Sequence, residues 1–156
     1  MTNTYLSFIV CDELFAVNVT NVLEVLQKEH ITPVPNTPQY IKGIINFRGE
    51  VVPVFETRIK FNLPERSENE PFVIIVLDLS SGNEEFRIGA IVDKVKDVIS
   101  IDDEEVKPVP AISKDFNSDF LHGIYKMKDQ FILMLDVEKV FTNTELNFLK
   151  QKAGVE

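Results

Sequence analysis

Apolar and polar residues alternate along most of this chain, and short continuous apolar runs interrupt the alternation. Residues 4–10 (TYLSFIV) and 14–19 (LFAVNV) read as two strands joined by a turn at Cys11, Asp12 and Glu13. Next, Val19, Val22, Val25 and Leu26 recur at helical spacing with Leu23 beside them, which predicts a short helix over 20–26 capped by Asn18 or Thr20. Such a helix is apolar around most of its circumference, so it is either buried or half-covered by a partner. Pro33, Pro35 and Pro38 make residues 31–40 an extended loop. Strands are predicted at 41–48, 50–56, 72–79, 86–92, 95–101, 121–127 and 131–135. The segment 61–71 (FNLPERSENEP) reads as an exposed connection, 80–85 as a loop, and 106–112 as a second proline loop. Residues 137–149 are expected to form a C-terminal helix with Val140, Phe141 and Leu149 inward.

An internal repeat organises this series. IKGIINFRGEVVPVFETRIKF (41–61) overlies LHGIYKMKDQFILMLDVEKVF (121–141) without a gap. Gly43 then meets Gly123, Arg48 meets Lys128, Val51 meets Phe131, Glu56 meets Asp136 and Phe61 meets Phe141. Upstream of each stands a Pro-Val-Pro, at 33–35 and 108–110, and before that a valine triplet, at 19, 22, 25 and at 92, 95, 98. The pattern implies repeat units near 5–61 and 72–141 inside one domain spanning 1–150, followed by a short tail at 151–156. Short, evenly spaced strands favour two small barrels over an open sheet, with strands free to be exchanged between the halves.

Composition narrows the function. With 156 residues, 44% of them hydrophobic, the chain is long enough to bury a core. A net charge of −9 with no basic stripe disfavours a nucleic-acid duplex or an acidic membrane surface. Cys11 is the only cysteine, so no intrachain disulfide and no CxxC motif exists. No signal peptide and no apolar stretch of membrane-spanning length is present, and a cytoplasmic location is expected. His30 and His122 lie far apart without ligand spacing, and residues 102–105 lack the register of a calcium loop, so neither a metal nor a cofactor is expected. Asp102 or Ser100 instead suits the start of a helical turn with acids at its N-terminus. No glycine-rich phosphate loop and no G-x-S-x-G occurs, and Cys11 has acidic neighbours that raise a thiol pKa. No catalytic constellation emerges. The expectation is a protein without enzymatic activity; the alternative is an enzyme with a small-molecule site between the barrels. A nucleic-acid-binding barrel would need exposed aromatics among basic residues, whereas the aromatics here are read as alternating inward.

One feature asks for a role. In NFRGE (46–50), Gly49 suits a positive φ at a hairpin tip and lifts Arg48 to the rim of the sheet. Arg48 is then either a solvated turn residue or a fork that pairs with a carboxylate and holds a docking surface.

The stretches NTPQYIKGIINFRG (36–49), NFRGEVVPVFETRIKF (46–61) and GAIVDKVKDVISI (89–101), with the two Pro-Val-Pro segments, resemble the CheW family of bacterial chemotaxis coupling proteins in order and over nearly the whole chain. That resemblance implies a mainly β fold of two five-stranded SH3-like barrels packed together, with short helices. It implies a non-catalytic, cytoplasmic adaptor that bridges the histidine kinase CheA to the cytoplasmic tips of methyl-accepting chemoreceptors in membrane-attached arrays, without inserting into the membrane and without nucleic acid. Carried over residue by residue, it places Val22, Glu24, Val25, Leu26, Asn46, Phe47, Arg48 and Gly49 at the receptor groove, with Arg48 pairing to Glu24. It places Lys107, Pro108, Val109, Pro110 and Ile112 at a kinase contact. Phe47 stands where the family usually has Leu, Glu56-Thr57-Arg58 where it has Asp-Leu-Arg, and Ile112 where a larger aromatic is common. The same fold serves the regulatory domain of the kinase and CheV-type proteins; a chain that stops soon after Leu149 is expected to be the standalone adaptor.

Overall fold

Several strands of this chain have two apolar faces to cover, and that requirement sets the architecture. The computed structural model describes residues 1–80, 84–110 and 120–152, the side chains of 151 and 152 excepted. Its strands are β1 (Thr2–Val10), β2 (Glu13–Asn18), β3 (Val22–Gln27), β4 (Ile41–Phe47), β5 (Glu50–Glu56), β6 (Val73–Asp78), β7 (Arg87–Val92), β8 (Lys94–Asp102), β9 (Leu121–Met127) and β10 (Gln130–Leu135). Two helices accompany them, α1 (Thr57–Lys60) and α2 (Asn143–Lys152). The strands form two five-stranded sheets, ordered β8-β1-β2-β10-β9 and β3-β6-β7-β5-β4.

Each sheet curls around a core of its own. In the second, Ile74, Val76, Ile45, Phe47, Val52, Val54 and Ile91 converge, and Leu23 and Leu26 reach the same cluster from the opposite end of the sheet. In the first, Tyr5, Leu14, Ala16, Ile101, Ile132 and Met134 converge, joined by Ile99 from one end strand and Tyr125 from the other. Between the two lies a shared core that includes Leu6, Phe8, Phe15, Val17, Phe55, Ile75, Leu77 and Ile88. The run 73–77 is therefore apolar throughout, because Ile74 and Val76 serve one core while Ile75 and Leu77 serve the other.

The two sheets share one pattern. Writing β6, β7, β3, β4 and β5 in place of β1, β2, β8, β9 and β10 leaves the strand order unchanged. The parallel pairs also correspond, β2 with β10 and β7 with β5. Each barrel thus takes its central hairpin from one half of the chain and its other three strands from the other half.

The helix predicted over 20–26 is not formed. A single 3-10 turn at Val19–Asn21, capped by the Asn18 side chain, leads directly into β3. The misreading has a physical cause. Opposite β6, the register slips so that Val22 faces Leu77 and Val25 faces Ile75, three steps on β3 for two on β6. This is a β-bulge, and its extra residue returns Val22 and Val25 to one face at a helix-like spacing of three. The same slip occurs where Val95 and Val98 of β8 oppose Phe8 and Leu6 of β1. There the buried Ser7 fills the gap, its Oγ donating to the Asp97 carbonyl and accepting from the Asp97 amide, both at 3.0 Å.

Gly43 and Gly123 fasten the two proline segments. Thr32 and Ile44 exchange backbone hydrogen bonds of 2.9 Å, as Lys107 and Ile124 do at 2.8 Å. A Cβ on Gly43 would lie 2.1 Å from the Thr32 carbonyl oxygen, and one on Gly123 would lie 2.7 Å from that of Lys107. Asp102 caps a 3-10 turn at Asp103–Glu105. The C-terminal helix is shorter and later than the predicted 137–149. A 3-10 turn at Val137–Lys139 comes first, and α2 starts after a capping box in which Thr142 and Glu145 exchange side-chain-to-amide hydrogen bonds of 2.8 and 3.1 Å.

Candidate functional site

The β4–β5 hairpin turns on Arg48 at φ +52° and Gly49 at φ +85°. Positive φ at both positions of a two-residue loop matches the twist of the flanking strands, and glycine makes the second position cheap. The Asn46 side chain fixes the loop by accepting the Gly49 amide at 2.9 Å. From this tip Arg48 Nη2 donates to Glu24 Oε1 of β3 at 2.8 Å. The pair ties the two end strands of the second sheet together, and it is open to water, with side chains 64% and 42% exposed. Beneath it, the guanidinium lies 4.7 Å from the centre of the Phe47 ring, which is itself buried.

Beside this pair, β3 leaves Val22, Val25 and Leu26 half-buried. Val22 and Val25 pack on the shared core and Leu26 on the core of its own barrel, so each has one side in the protein and one in solvent. Val51, across from Asn46 on β5, is 52% exposed. The other hairpin tip has Lys128 at φ +54°, without an ion pair among the described residues, and Phe131 beside it is 56% exposed. That exposure corrects the expectation that the aromatics all turn inward.

The second candidate surface belongs to the other barrel. Lys107 bonds through its backbone to Ile124 of β9; Lys107, Pro108 and Pro110 are exposed and Val109 is half-buried. Ile112 lies outside the described residues. Both histidines are exposed, and among the described residues no cluster of His, Cys, Asp or Glu is placed to hold a metal ion. Nor is any helix among them long and apolar enough to cross a membrane.

A network of buried charge was not visible in the sequence. Segment 61–71, expected to be an exposed connection, folds back so that the Arg66 side chain is only 9% exposed. Asp93, in the crossover between β7 and β8, accepts from Arg58 at 2.7 and 3.1 Å, from Arg66 at 2.7 Å and from the Cys11 amide at 2.9 Å. Glu56 takes Arg66 Nε at 2.8 Å, and Glu70 takes Arg58 Nη2 at 2.8 Å. Burial pushes the Asp93 carboxyl up, but the donors from Arg58, Cys11 and Arg66 outweigh it and hold the group below its ordinary value. The Cys11 thiol is pushed up, by burial above all, and its Sγ lies 3.4 Å from the Pro64 carbonyl oxygen. Cys11 sits in the first barrel's β1–β2 turn and Arg58 on α1 of the second, so the network braces the junction. A groove of about 320 Å³ opens beside it over Ile31, Ile59, Phe72 and Ile91, with Glu56 and Arg66 on its wall already bound to each other.

Two five-stranded barrels with a common core, built from exchanged hairpins, define a mainly β double-barrel module. Residues 4–145 match the model of the CheW-like domain, and the chain belongs to that family. It is similar to the chemotaxis protein CheW of Klebsiella aerogenes, with 30% identity over 142 residues, covering 91% of this chain and 83% of that protein. The chemotaxis protein CheW of Helicobacter pylori is 32% identical over 136 residues, covering 87% of this chain and 79% of that one. Among solved structures, the scaffolding protein TtCheW from Thermoanaerobacter tengcongensis superposes with a TM-score of 0.80 at 30% identity, covering 93% of this chain and 96% of that one.

Proposed function

We propose that this chain is a non-catalytic adaptor of chemotaxis that couples methyl-accepting chemoreceptors to the histidine kinase CheA, working at membrane-bound receptor arrays without entering the bilayer. Membership of the CheW-like family supports the reading, as do relatives named for chemotaxis and for scaffolding. The observation that carries the docking site is the Arg48–Glu24 pair standing over a strand that leaves Val22, Val25 and Leu26 half in solvent. Apolar residues flanked by a charged rim suit an amphipathic helix laid into a groove. The receptor tip takes this face, with the Asn46–Gly49 turn at its edge. The kinase takes the Lys107–Pro110 segment on the other barrel, so both partners bind at once.

An exposed ion pair adds little to folding, so Arg48→Ala is expected to move the thermal melt by no more than a few degrees, within about 1 kcal/mol. Its cost falls on recognition. Affinity for a receptor cytoplasmic fragment drops about 5- to 30-fold, as for an interface arginine worth roughly 1–2 kcal/mol, while kinase binding is unchanged. Co-sedimentation with receptor fragment and kinase, separately and together, measures both. Unfolding of the variant would make Arg48 a structural residue, and failure of the parent chain to bind either partner would overturn the adaptor reading.

A further inference from the structure

The Arg48–Glu24 pair is too exposed to hold Arg48 in place alone. At 64% and 42% exposure its two side chains compete with water and salt, and pairs of this kind contribute little net order. The turn itself fixes the backbone of Arg48 and leaves its long side chain free. What does not move is the ring beneath it: Phe47 is 3% exposed, clamped among Ile45, Val52, Val54 and Ile74. Its centre is 4.7 Å from the guanidinium carbon, within the range in which a cation is drawn to an aromatic face.

We infer that Phe47 is the positioning residue of the docking arginine, a buried aromatic platform that orients Arg48 toward Glu24 before a partner arrives. This rests on the reading of the Arg48 face as the receptor site. The molecule contains its own comparison at the other hairpin tip. There Met127 and Lys128 stand in the places of Phe47 and Arg48, with the same positive φ at the tip residue. Met127 offers no ring face, and Lys128 makes no ion pair with any described residue. A planar guanidinium stacks on an aromatic face better than an ammonium does, so arginine and phenylalanine at 48 and 47 form a matched pair.

The test separates ring electronics from ring shape. Placing 3,5-difluorophenylalanine at position 47 weakens the ring's negative face and leaves its packing nearly unchanged; Phe47→Met copies the other hairpin. In the free protein, the ring-current shift of the Arg48 side-chain resonances is expected in the parent and in the fluorinated chain, and lost in Phe47→Met. The Arg48–Glu24 contact, followed by the salt dependence of the Arg48 Nε shift, becomes more salt-sensitive in both variants. Receptor-fragment affinity falls about two- to fivefold on fluorination, the size of an exposed cation–π contact, with no further fall when Arg48→Ala is already present. Unchanged Arg48 shifts in Phe47→Met, or losses that add to those of Arg48→Ala, overturn the inference. If the parent does not bind receptor at all, the docking reading fails, while the resonances of the free protein still decide whether Phe47 positions Arg48.

Discussion

Asp93→Ala is expected to destabilise the fold by about 3–5 kcal/mol, the range for removing one partner from a buried ion pair. Asp93 accepts four hydrogen bonds, three from guanidinium nitrogens and one from the Cys11 amide. Deleting the carboxylate leaves Arg58 and Arg66, both 9% exposed, with Glu56, Glu70 and, for Arg66, the Pro71 carbonyl as their remaining partners among the described residues. It also frees the Cys11 amide at the turn that the first barrel brings to the junction. In a domain of this size the thermal midpoint should fall on the order of 10 °C. Asp93→Asn keeps the shape and one acceptor oxygen, so its loss should be smaller. The pH dependence has a definite sign. The folded-state carboxyl of Asp93 is depressed, so its contribution is complete above the unfolded value near pH ~4 and disappears as pH falls through the folded value. The parent should therefore lose stability on acidification more steeply than Asp93→Ala does. Urea melts at neutral pH and at about pH 3 measure both effects. A neutral-pH loss under about 1 kcal/mol would show that the cluster behaves as a surface network.

This brace also marks what sequence reading could not reach. Strands were legible because each has a face or two to bury, and FVIIVLDL at 72–79 reads as buried strand whatever covers it. The bulge on β3 was illegible, because one inserted residue converts a two-residue period into three and imitates a helix. Arg66 lies in a segment whose prolines, serine and acids all speak for solvent, and only the burial of Asp93 and Glu56 draws it inward. For the proposed docking face, the Arg-Gly pair identified a hairpin tip, yet spacing alone left the arginine either an inert turn residue or part of a docking surface. Glu24 entered only through family resemblance, since nothing local to residues 22–27 reveals that β3 and β4 meet as the ends of one curled sheet. The value of Phe47 beneath Arg48 was likewise hidden, because a buried aromatic reads first as core. Gly43 and Gly123 stood out as a matched pair, but the need for glycine appears only once the Thr32 and Lys107 carbonyls are seen pressed against them.

That contact predicts the second large effect, for Gly43→Ala. An added methyl would sit 2.1 Å from the Thr32 carbonyl oxygen and 2.7 Å from its carbon, both backbone atoms that cannot swing aside. The φ of +147° adds strain that only glycine avoids. Strain and overpacking together should cost roughly 3 kcal/mol or more. Gly123→Ala is expected to cost less. Its backbone needs no positive φ, and its methyl overlaps less deeply, at 2.6 Å from Val106 Cγ1 and 2.7 Å from the Lys107 carbonyl oxygen, against 2.1 Å from the Thr32 oxygen at Gly43. Relief at Gly43 can come only by parting Thr32 from Ile44, which breaks both 2.9 Å hydrogen bonds and frees the proline segment from β4. Because β4 runs on from Gly43 to the Asn46–Gly49 turn, amide exchange at Thr32 and Ile44 should accelerate and the disturbance should extend to the Gly49 amide held by Asn46. Hydrogen exchange in the two variants resolves this. Equal losses for Gly43→Ala and Gly123→Ala would mean that neither the positive φ nor the deeper overlap at Gly43 adds to the cost. A larger loss at Gly43, with exchange spreading toward Gly49, would mean that the hairpin proposed for docking depends on a glycine five residues upstream of Arg48.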